Sequence, residues 1–167
     1  MAPLLLPQLI APAPLLLAAP PPPRPGWRLS WAEEFTGPAG SAPNPSHWTV
    51  AHNRTHGELE QQLYVSDAVA LDGSGNCVLT TDRRSATGPD GHRTYSFTSG
   101  WLDTETKVSR AYGRWEVSAR LPDPTARGIW PAHWLMPHFA KGSASDWNCW
   151  RERSGSLSLG GVCKSQA

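Results

Sequence analysis

The chain has 167 residues and a formal net charge of +1, from 15 Lys and Arg against 14 Asp and Glu. A balance so near neutrality, with no run of basic residues, excludes an electrostatic nucleic-acid binder or a protein drawn to anionic lipid. The length suits one domain with a short appendage.

Charged residues make up only 17% of the chain, yet mean hydropathy is −0.42. Ser, Thr, Gly, Pro and Asn fill the polar positions, a mixture that favours turn-rich β structure over long helices. There are nine Trp and 17 Pro. A single Trp usually belongs to a core; nine exceed what one modest core takes, so some are expected in a groove. The three Cys, at 77, 149 and 163, form no C-x-x-C pair, which excludes zinc-ribbon and thioredoxin-like readings. Cys77 either bridges Cys149 or sits in a strand as a buried free thiol.

In chain order, residues 1–26 come first, an apolar, Pro-rich leader. It is similar to a secretory signal with a small-residue exit at Ala18–Ala19, although no Lys or Arg precedes the apolar run. Pro3, Pro7, Pro12 and Pro14 break that run, so no membrane-spanning helix is expected. The prolines at 20–25 predict a stiff polyproline spacer. Asn53-Arg54-Thr55 is a glycosylation sequon, usable only on the secretory route.

From Trp27 the signals are strands. Residues 75–83 place Cys77, Leu79 and Thr81 on one face and Val78 and Thr80 on the other. Residues 95–108 are β-branched and aromatic around Gly100, which is read as a turn. The clearest period of two lies at 112–121: Trp115, Val117, Ala119 and Leu121 alternate with Arg114, Glu116, Ser118 and Arg120. Turn residues cluster at 37–45, 72–76, 87–93 and 122–128. Short strands at this spacing, with no helical period, predict an all-β sandwich or barrel.

The stretch GIWPAHWLMP, residues 128–137, puts Trp130, Ala132, Trp134 and Met136 on one side, and Ile129, Pro131, His133 and Leu135 on the other. Indoles at i and i+4 on one strand face stand roughly 13 Å apart, enough to flank more than one sugar ring. Their flat faces suit the C–H faces of pyranoses. The same alternation also fits two core tryptophans. Pro131 argues against a fully paired central strand and for an irregular one. His133, opposite the two indoles, is expected to be a satisfied structural histidine.

A series of blocks resembles glycoside hydrolase family 16, the laminarinase and β-1,3(4)-glucanase group. WAEEFTG (31–37) is similar to W-x-D/E-E-F-x-G, HWTV (47–50) follows, and GELEQQLYV (57–65) is similar to G-E-L-Q-x-Y. NCVLTTDR resembles L-x-L-x-A-R, and FTSGWLDT (97–104) resembles Y-T-S-G-R-L-x-T. AYGRWEVSARLP (111–122) and GIWPAHWLMP match family segments closely. The likeness spans residues 27–150, with 151–167 read as an unrelated, disordered tail. It implies an incomplete jelly-roll β-sandwich of antiparallel sheets, concanavalin A-like, whose concave face takes a β-glucan partner. Trp130, Trp134, Trp101 and Glu58 are the substrate-binding residues it suggests. Trp101 stands where the family usually has Arg, which exchanges a polar sugar contact for a stacking one. No cofactor is implied; a structural calcium occurs in the family, but no ligands are assignable here.

The family cleaves with retention, using E-x-D-x-x-E soon after the W-P-A-x-W strand: the first Glu attacks the anomeric carbon and the last serves as acid, then base. No such stretch occurs in the 167 residues, so no catalytic residue is assigned. Glu58 with Glu60, and Asp103 with Glu105, are i, i+2 pairs roughly 6.5 Å apart on a strand. Such spacing permits hydrolysis, but it is also ordinary for a solvated strand face. Glu58 is instead expected to hold sugar or support the cleft wall. After Cys149-Trp150 the tail RERSGSLSLGGVCKSQA looks foreign to a core. Arg151-Glu152 fits the codons CGT-GAG, a splice-donor pattern, so the tail is read either as translated intron or as a genuine divergent C-terminus; the nucleotides past the Trp150 codon decide this. With only about 120 family-like residues, unpaired strand edges and poor solubility are expected.

Overall fold

The computed structural model describes residues 22–55, 60–123, 125, 127–137 and 155–163. Eleven short strands are assigned there: β1 Thr49–Val50, β2 Gln62–Tyr64, β3 Val69–Leu71, β4 Cys77–Leu79, β5 Thr81–Asp82, β6 Ala86–Thr87, β7 Thr94–Tyr95, β8 Phe97–Ser99, β9 Trp101–Asp103, β10 Ile129–Pro137 and β11 Gly155–Cys163. The one helical element among the described residues is a 3₁₀ turn at Ser66–Ala68. One sheet has the order β1-β9-β11-β10 and another β2-β8-β5; β3-β4 and β6-β7 are two-stranded. All pairs are antiparallel except β2 with β8, which run parallel.

Alternation along β9 divides the interior in two. Leu102, fully buried, faces a cluster with Trp48 and Val69, joined by Leu135 of β10. Trp101 faces the other way, onto Ala51 and Tyr64, joined by Trp134. One strand face thus serves the sandwich core and the other the candidate site.

Glu33 fastens the N-terminal segment to the first cluster. Its Oε2 accepts hydrogen bonds from Trp48 Nε1 at 3.2 Å and His47 Nδ1 at 2.9 Å, and its Oε1 accepts from the Phe35 N–H at 2.9 Å. Phe35 adopts a left-handed φ of 48°, strained for a bulky residue, and stacks on Trp48 with ring centroids 5.5 Å apart. Trp31 meets Trp48 at 6.1 Å and Trp115 at 6.3 Å.

The expected turn at 72–76 closes the β3-β4 hairpin. Asp72 Oδ1 accepts the Ser74 and Asn76 N–H groups, and Oδ2 accepts the Asn76 side-chain amide at 2.7 Å. The Asn76 amide, then the Ser74 N–H, holds the Asp72 carboxyl below the usual carboxylate range. The alternation expected around 77–81 holds: Cys77 and Leu79 are half-buried while Val78 is exposed. Cys77 carries a free, half-buried thiol among the described residues; the alternative bridge to Cys149 involves a residue outside them. Burial, helped by the negative charges of Glu33 and Asp72, pushes the Cys77 thiol up to about 12, so it stays protonated and unreactive at neutral pH.

Three expectations are corrected. Gly100 is not a hairpin turn, because β8 and β9 enter different sheets. It is a crossing point: a Cβ there would lie 2.6 Å from the Ala68 carbonyl oxygen, so only glycine lets the backbones approach. Residues 112–121, the clearest alternation, form no ladder. Trp115 packs on the first cluster, but Tyr112, Val117 and Leu121 are exposed. Alternation tells which face wants burial, whereas a strand also needs a partner, and none pairs here among the described residues. Third, the tail 151–167 was expected to be disordered, yet Gly155–Cys163 forms β11, inserted between β9 and β10. Leu157 and Leu159 alternate with Ser156 and Ser158, a period of two obscured by the surrounding Gly and Ser.

The unpaired, partly apolar stretch at 112–121 is a template for intermolecular pairing. The chain should therefore self-associate as concentration rises, and Val117→Lys should raise the concentration at which it stays monomeric. Analytical ultracentrifugation checks this; a wild-type chain that sediments as a compact monomer at every concentration would refute it.

Candidate functional site

The site is built on the face of the four-stranded sheet that carries Trp101. In register, Trp130 of β10 lies opposite Val162, Ala132 opposite Gly160 and Trp134 opposite Ser158. Ser158 and Gly160 in turn lie opposite Asp103 and Trp101 of β9. Trp101, Asp103, Ala132, Trp130 and Trp134 therefore share one face, as the alternation at 128–137 predicts. Among the described residues β10 lies at the end of its sheet, which accommodates Pro131.

The three indoles differ in exposure. Trp130 is 54% exposed and Trp101 only 5%; Trp134 is half-buried. Trp101 meets Trp134 edge-on at 5.7 Å and Tyr64 edge-on at 5.1 Å. Its Nε1 donates to Asp103 Oδ2 at 3.1 Å. Trp101 is thus placed as a buttress beneath the surface that Trp134 and Trp130 present.

Arg54, just before the undescribed residues 56–59, bridges Tyr64 through paired backbone hydrogen bonds of 2.9 and 3.3 Å. Its guanidinium carbon lies 5.3 Å from the centre of the Trp101 ring. Its Nη1 is 3.7 Å from Asp103 Oδ2. Asp103 is 4% exposed and its Oδ1 accepts the Glu105 N–H at 3.0 Å. Beside them the fully buried Tyr64 donates its hydroxyl to Glu60 Oε1 at 3.4 Å and accepts Gln62 Nε2 at 2.9 Å.

Glu58 lies outside the described residues. Asp103 is committed to Trp101, Arg54 and the Glu105 backbone, so the Asp103–Glu105 pair does not stand as two free carboxyls. His133, expected to be satisfied, is exposed and makes no hydrogen bond among the described residues. Sequence reasoning missed Arg54, whose only signal was the sequon containing it, and Asp103 as a buried anchor. No group of three or more His, Cys, Asp or Glu among the described residues is arranged to hold a metal ion. No helix among them is long and apolar enough to cross a membrane.

The fold and this face define a class: an all-β sandwich whose sheet carries buttressed aromatic side chains beside a fixed charge pair. No protein-family model matches the chain. It is 34% identical over 117 residues to a β-glucanase of Rhodothermus marinus, covering 68% of this chain and 37% of that one. It is 29% identical over 126 residues to glucan endo-1,3-β-glucosidase A1 of Niallia circulans, covering 67% of this chain and 17% of that one. The chain therefore spans little more than a third of the length of these relatives, or less. Its fold matches the catalytic domain of an endo-1,3-β-glucanase (laminarinase) from Thermotoga petrophila RKU-1 with a TM-score of 0.62 at 15% identity, over 84% of this chain and 88% of that one. The architecture is thus the laminarinase jelly roll, and the chain is glycoside hydrolase family 16-like, corresponding to part of its relatives.

Proposed function

We propose that this chain is a β-glucan-directed protein of the laminarinase type that, by itself, binds the polysaccharide without cleaving it. The supporting observation is the shared face of Trp130 and Trp134, one open and one resting on Trp101. Stacking on such a face holds a sugar chain through apolar contact. The β-glucanase relatives supply the substrate class. Hydrolysis in the longer relatives' manner needs a carboxylate pair, and the sequence holds no E-x-D-x-x-E stretch. The signal-like leader favours a site of action outside the cell, where polymeric glucan is met.

In dilute solution the chain should bind laminarin, seen as a change in tryptophan fluorescence or retention on insoluble β-1,3-glucan, while releasing no reducing ends. Reducing ends released by the pure chain, and lost on changing Glu60, would overturn the non-catalytic reading. An unchanged fluorescence at millimolar laminarioligosaccharide would remove the binding one.

A further inference from the structure

We propose that Arg54 is a sugar-contacting specificity residue of this face, its guanidinium donating to paired hydroxyls of a neutral glucan; this rests on the glucan-binding reading above. The same molecule shows what an arginine spent on structure looks like. Arg84 donates to both oxygens of Asp67, at 2.7 and 2.8 Å, in a closed fork-to-fork pair. Arg54 is held differently. Its backbone is pinned to Tyr64, its guanidinium lies over Trp101, and Asp103 sits at 3.7 Å, beyond hydrogen-bond reach. The side chain is 45% exposed and its N–H donors make no hydrogen bond among the described residues. It is oriented without being consumed.

That combination is what a ligand contact requires. The ring and the carboxylate fix the planar fork, so little rotamer freedom remains to be lost on binding. The fork lies on Trp101, which also supports Trp134. A sugar stacked on Trp134 therefore has a rigid donor set beside it. The nearly buried Asp103 already balances the arginine's charge. A sulfate or carboxylate on the sugar would meet that negative charge, whereas hydroxyl oxygens accept the N–H groups without penalty.

The test is a fluorescence titration of wild type, Arg54→Lys and Arg54→Ala with laminarihexaose and with a sulfated galactan oligosaccharide. Lysine keeps a cation beside Asp103 but not the fork. Arg54→Lys should retain the near-ultraviolet circular dichroism of the tryptophans and lose about tenfold in affinity for laminarihexaose. Arg54→Ala should lose at least as much, and wild type should prefer the neutral sugar. Equal binding by wild type and Arg54→Lys, or preference of wild type for the sulfated sugar, overturns the assignment alone. A wild-type chain that binds neither sugar overturns the glucan reading and this assignment with it.

Discussion

Trp101→Ala should destabilise the fold by about 3–5 kcal/mol, the range for emptying a buried aromatic site. Trp101 is 5% exposed and packs with Ala51, Tyr64 and Trp134. Its removal also strips Asp103 of the indole donor and Arg54 of the ring beneath it. The loss therefore extends beyond apolar contact, and the upper half of that range is expected. Trp101→Phe should recover most of the packing but not the Nε1–H bond to Asp103, leaving a deficit of about 1–3 kcal/mol. Urea unfolding followed by far-ultraviolet circular dichroism measures both. A Trp101→Ala chain within about 1 kcal/mol of wild type would show that the indole is not a buttress.

Trp130→Ala should produce the opposite profile. More than half exposed, Trp130 contributes little to the core, and its loss should move the unfolding midpoint only slightly. If it stacks on sugar, the same change should weaken laminarin binding by about tenfold or more, since an aromatic contact is worth about 0.5–1.5 kcal/mol beyond the area it covers. Trp134→Ala, half-buried against Trp101, should weaken binding and stability together. Affinity electrophoresis in laminarin-containing gels separates the cases. Undiminished retention of both variants would mean that the glucan lies elsewhere.

Much of the fold was legible because its blocks carry side-chain chemistry that is satisfied only by other blocks. Glu33 of WAEEFTG accepts from His47 and Trp48 of HWTV, and Trp115 of GRWEV packs toward Trp31. Trp101 of SGWLD meets Trp134 of WPAHW. The alternation at 128–137 gave the correct faces because β10 pairs along its whole length. The same rule failed at 112–121, where no neighbour pairs with the segment. β11 was missed because Gly and Ser mask a short Leu/Ser alternation. Arg54 was missed because an arginine in a loop carries no period; only the backbone bridge to Tyr64 brings it over Trp101.

β11 follows β10 in translation yet lies between it and the earlier β9. When β10 leaves the ribosome, the gap beside β9 is still empty. Trp134 reaches Trp101 only once the later strand has threaded into that gap and zipped to both sides. Such non-local closure is slow for any chain. It ties completion of the indole platform, and the contact of Leu135 with the cluster around Trp48, to the arrival of this later strand.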